Sequence, residues 1–213
     1  SDEFVSLYYP GEAALGLSLW GVQSGEPRWR DAAVRALLQL ADKRRGRARV
    51  EPDHWALLAT AHVLTDASRA DAPLPDATRD ALEAHAVQIA ETMLTARQAH
   101  PPGSPLHGCF GRDGRTTPTA TRLEGLLAAL TFLTDARHAD LRARIATAAH
   151  AAVGFLVRAQ RRENPYRGGI PRSLSHERRA REIRIDYVQH ATSAWLQYVA
   201  LERAGVVPPF AAE

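Results

Sequence analysis

The stretch Thr117-Pro118-Thr119-Ala120-Thr121-Arg122-Leu123-Glu124-Gly125-Leu126-Leu127-Ala128-Ala129-Leu130 decides how this chain folds. Leu123, Leu126, Leu127, Leu130 and Leu133 recur at helical spacing and draw one apolar stripe. Small residues fill the remaining faces, so the helix predicted over 118–135 is apolar nearly all round. Pro118 marks its start, because the amide that proline lacks needs no partner in a first helical turn. Similar starts occur at Tyr9-Pro10-Gly11-Glu12 and Glu51-Pro52-Asp53-His54, each leading into a small or apolar run. A fourth, Ile185-Asp186-Tyr187-Val188-Gln189-His190, lacks the proline but runs into Ala191–Leu196. These starts predict apolar helices over 11–24, 52–68 and 186–204 beside 118–135. More polar, arginine-bearing helices are predicted between them over 28–45, 76–98 and 138–162. Alternating β-branched residues are nearly absent, and the stretches 99–117 and 163–177 are rich in Pro, Gly and Ser. The class is all-α.

Apolar and amphipathic helices therefore alternate through seven elements. A helix apolar on most sides needs cover on most sides, and an amphipathic one can provide it with a single face. In that alternation, and in Tyr8-Tyr9-Pro10-Gly11-Glu12-Ala13, the chain resembles the α/α-toroid proteins. These include six-hairpin glycosidases, uronate epimerases and lyases, and lanthionine or terpene cyclases. The resemblance implies one domain over 1–213 with inner and outer helices and a cleft at the inner-helix mouth. It also implies a glycan-active hydrolase, lyase or epimerase, with the reaction type left open. A full toroid has more hairpins than four inner and three outer helices, so the chain reads as part of a longer one. Its opening at Ser1 rather than methionine agrees. The first and last inner helices lack an outer neighbour on one side, which predicts association with another copy or another subunit.

If the inner helices run parallel, their first turns meet. They would bring together Glu12, Asp53, His54, Glu124, Asp186 and His190 as acid/base candidates. Tyr8, Tyr9, Trp55, Arg122, Tyr187 and Gln189 would line the site, with Tyr166, Arg167 and Arg172 added from the 163–177 loop. Aromatic faces suit sugar rings, and arginine suits a carboxylate or phosphate. The expected ligand is a polar, anionic, glycan-like small molecule. A simpler account reads the same residues as caps: Thr121-Arg122-Leu123-Glu124 fits a capping box, Asp186-Tyr187-Val188-Gln189 a variant, and acids favour any first turn. The alternative function is a helical scaffold binding an acidic protein through an arginine-rich concave surface.

The chain has 213 residues, 45% of them apolar and 24% charged, enough for a packed core. Its 27 basic residues include one lysine, Lys43, an arginine bias expected of a GC-rich bacterial coding sequence. Lys43-Arg44-Arg45-Gly46-Arg47-Ala48-Arg49 reads as cations closing a helix C-terminus. A net charge of only +3, without aromatics interleaved among the arginines, argues against nucleic acid. The single cysteine, Cys109, forbids an intrachain disulfide, and the chain has no Walker A, GxGxxG, GxSxG or HExxH motif. Cys109 with two histidines would make a zinc set, but the sequence assigns neither metal nor cofactor. No apolar run approaches membrane-spanning length, and the expected location is cytoplasmic.

Overall fold

The computed structural model describes residues 9–69, 73–174 and 180–210. Its helices are α1 (Tyr9–Ser24), α2 (Pro27–Arg44), α3 (His54–Arg69), α4 (Asp76–Thr95), α5 (Thr116–Leu130), α6 (Ala139–Ala159) and α7 (Ile185–Arg203). A single 3₁₀ turn, Ala136–His138, leads into α6. Among the described residues there is no strand, and the fold is all-α. None of these helices is long and apolar enough to cross a membrane.

The helices form two rows. α1 lies against α3, α3 against α5, and α5 against α7. α2, α4 and α6 cover that row from one side, α4 touching both of its outer neighbours. The alternation read from the sequence is thus the alternation of layers. α1 and α7 do not touch each other among the described residues, so the inner row is open.

Burial follows position in the row. α5 has neighbours on nearly every side and buries an unbroken run from Leu123 to Leu130. Leu123, Leu126 and Leu127 are fully enclosed with Leu57 of α3, Ile89 and Met93 of α4, and Phe155 of α6. Full burial of each such side chain is worth roughly 1.5–3 kcal/mol. At the edges, α1 buries only Gly11, Ala14 and Ser18, and exposes Leu19, Trp20 and Val22. α7 exposes Leu196 and Val199 in the same way.

Two predicted helix starts are corrected. α5 begins at Thr116, two residues before Pro118, because a proline is tolerated anywhere in a first turn whose amides lack intrahelical partners. No capping box forms at Thr121–Glu124, which puts Glu124 in the third turn, and α7 likewise starts without a side-chain cap. Pro52 lies outside α3. The cap there is Asp53, whose Oδ1 accepts the Ala56 N–H at 3.0 Å.

The described part of the 163–177 loop is tied to the start of α5. Thr116 donates its N–H to the Arg172 carbonyl at 3.0 Å and its hydroxyl to the Pro171 carbonyl at 2.6 Å. Leu174 donates to the Gly114 carbonyl, and Ser173 donates its hydroxyl to the Asp113 carbonyl.

Candidate functional site

Two glycines set the spacing of the inner row. A Cβ on Gly125 of α5 would lie 2.9 Å from His54 Cα and 3.0 Å from both His54 Cβ and Leu57 Cδ1. A Cβ on Gly11 of α1 would lie 2.7 Å from both the Ala56 nitrogen and Asp53 Oδ1. The start of α3 is therefore wedged between α1 and α5, closer than any other residue would allow. Glu124, next to Gly125, is carried to His54 by that approach.

At this crossing three ionisable side chains from three helices converge. Glu124 is buried in α5, His54 is buried at the first position of α3, and His190 is half-buried in the second turn of α7. His190 Nδ1 lies 2.8 Å from Glu124 Oε2. A carboxylate only accepts, so Nδ1–H is the donor and Nε2 is left as the nitrogen that can take up or hold a proton. The His54 ring centroid is 5.7 Å from that of His190, edge to face. Trp55 stacks at a tilt on His54 at 4.7 Å and meets His190 at 6.2 Å. Burial, helped by the nearby His190, lowers the His54 pKa to about 3, so this imidazole is neutral at pH 7. One ligand atom from each of His54, Glu124 and His190 can be chosen so that all three lie within 4.8 Å of one another. They are the group of this kind among the described residues that could hold a metal ion.

The other candidates separate from this cluster. Asp53 is fully buried, but its Oδ2 receives the Arg44 guanidinium at 2.8 Å while its Oδ1 caps α3. Burial pushes its carboxyl up from the usual range, against the opposing pull of Arg44 and the Ala56 N–H. Glu12 and Asp186 stand exposed in the first turns of α1 and α7 and are not members of the cluster. Arg122 and Trp55 are half-buried, Tyr9 and Gln189 exposed, and Tyr187 buried with the Arg184 guanidinium 5.9 Å from its ring. In the loop, Tyr166 and Arg167 are exposed and Arg172 is half-buried. Tyr8 lies outside the described residues.

Sequence reading missed Arg44. The sequence presents it as one of several cations at the end of α2, yet it is buried, with Asp53 at 2.8 Å, Glu51 at 3.2 Å and His85 Nε2 at 3.2 Å. Its signal was the apolar period of α2, which places Arg44 on the face shared by Ala33, Leu37 and Leu40. Cys109 is buried beside Thr119, and burial pushes its thiol up, which makes it a poor nucleophile. A separate cavity of about 750 Å³ lies on the outer layer, between the 102–107 loop, α6 and Phe210. It includes no residue of the cluster. Comparison of the chain with known protein families, with curated proteins and with solved structures gives no match.

Proposed function

We propose that this chain is a ligand-processing domain of the α/α-toroid type, acting by acid/base chemistry on a polar, anionic, glycan-like substrate. The observation that carries the reading is the Glu124–His190 pair at 2.8 Å, facing neutral His54 where α3, α5 and α7 meet. Glu124 fixes the tautomer and orientation of His190, whose Nε2 then exchanges a proton with substrate. Trp55 offers an aromatic face for a sugar ring, and Arg122 and Arg172 supply positive charge for a carboxylate. Asp53, the cap and partner of Arg44, has a structural part in this account. A general acid/base group of this kind contributes about 10²–10⁴-fold to rate. Uronate-containing oligosaccharides should bind and be converted, and His190→Ala should lower turnover by at least about a hundredfold. Neutral and anionic glycans binding alike, or a His190→Ala variant as fast as the parent, would refute it.

A second reading draws on the edges of the inner row. Leu19, Trp20 and Val22 of α1 and Leu196 and Val199 of α7 are exposed, and their burial would favour association with another copy or another subunit. Sedimentation at micromolar concentration tests this; a monomer across the range removes it.

A further inference from the structure

We propose that His54, Glu124 and His190 together bind one divalent first-row transition-metal ion. The inference deepens the reading above and rests on the same site, since a metal-held water would then perform the proton transfer assigned to His190. Two imidazoles and one carboxylate are a donor set suited to such ions, whereas calcium and magnesium prefer all-oxygen shells.

The three donors come from α3, α5 and α7, so no single local turn explains their meeting. Bonds of about 2.0–2.2 Å in a tetrahedral site would set the ligand atoms roughly 3.4 Å apart. Ligand atoms already lie within 4.8 Å of one another, and rotation of the side chains closes the remainder. The backbone of His54 cannot drift, because Gly125 packs directly on its Cα and Cβ. Trp55 lies against both imidazole rings and gives the ion an apolar wall. One carboxylate against a 2+ ion leaves net positive charge, which an anionic ligand or hydroxide would neutralise. Three protein ligands leave a position open, the arrangement of catalytic rather than structural sites.

The test is titration of the chelator-treated, dialysed chain with Zn²⁺, alongside Co²⁺ followed by its visible absorption. The account expects one ion per chain. It also expects affinity to fall at least about tenfold in each of His54→Ala, Glu124→Gln and His190→Ala, and to be unchanged in His107→Ala. Should His54→Ala fail to fold, histidine ring NMR signals of the parent chain serve instead, with two of them moving on addition of one equivalent of Zn²⁺. Absence of saturable binding, binding unaffected by Glu124→Gln and His190→Ala, or binding lost in His107→Ala would each overturn the proposal. The two readings fail separately. Full glycan turnover by metal-free protein would overturn the metal's part in the proton transfer while upholding the Glu124–His190 pair. Tight Zn²⁺ binding at these residues without any effect on glycans would do the reverse.

Discussion

Asp53 and His54 are neighbours in sequence, yet they enter two buried clusters of opposite character. Asp53 joins Arg44, Glu51 and His85, where one guanidinium sits 2.8 Å and 3.2 Å from two carboxylates and meets the His85 Nε2 at 3.2 Å. His54 joins Glu124 and His190, where imidazoles and a carboxylate from three helices face one another. The first cluster ties the end of α2 to the start of α3 through the ion pairs of Arg44. The second ties no consecutive elements and collects two imidazoles and a carboxylate in one place. Burial alone thus does not tell the two clusters apart; the character of the partners does.

That contrast breaks most visibly at Arg44. Arg44→Ala leaves Asp53 buried without its cation, and should lower unfolding free energy by about 3–5 kcal/mol in denaturant titration. A loss below about 1 kcal/mol would mean that the first cluster is not what holds α2 to α3. Gly125→Ala comes next. Its methyl would meet His54 and Leu57 at 2.9–3.0 Å, so α3 and α5 must part, at about 1–3 kcal/mol in the same measurement. The same variant should weaken Zn²⁺ binding, which Arg44→Ala should affect far less.

The two clusters answer alike to acid, because each buries a histidine. Burial lowers the pKa of His54 to about 3 and, with Arg44 nearby, that of His85 to about 4. In the unfolded chain both titrate near 6.5. Between these values the unfolded chain binds more protons, so stability is complete above about pH 6.5 and falls as the pH drops towards 4. Each histidine contributes up to about 1.4 kcal/mol per pH unit in that window. For metal-free protein, His85→Gln should flatten the dependence of unfolding free energy on pH between 6.5 and 4. An unchanged slope would show that His85 is protonated in the folded state.

How much of this was legible beforehand differs along the chain. The α5 stripe and the layer alternation were legible, because the apolar period of Leu123–Leu130 and the polar period of the outer helices record their neighbours directly. The edges were less so. α1 and α5 look alike in composition, but α1 has neighbours on fewer sides, and no residue in α1 encodes that. Within the site, the sequence offers His54, Glu124 and His190 on the same terms as Glu12, Asp53 and Asp186. Spacing alone cannot separate them, since each lies near a predicted helix start. What separates them is the close approach at Gly125 and the partner Arg44 contributes from α2. The second of these is a contact across nine residues of chain and a turn, beyond helical period.

The smallest expected effect sharpens the contrast from the other side. Glu124→Gln keeps shape and can still accept from His190, so it should change stability by less than about 1 kcal/mol while removing function. A loss as large as that of Arg44→Ala would place both clusters in the same structural role.

The most direct test is a crystal structure of the chain soaked with Zn²⁺, with the ion located by its anomalous scattering. The account predicts one strong peak within about 2.0–2.2 Å of nitrogen atoms of His54 and His190 and an oxygen of Glu124. A Zn²⁺ peak bound elsewhere, or an undisturbed Glu124–His190 hydrogen bond in crystals saturated with the ion, would contradict it.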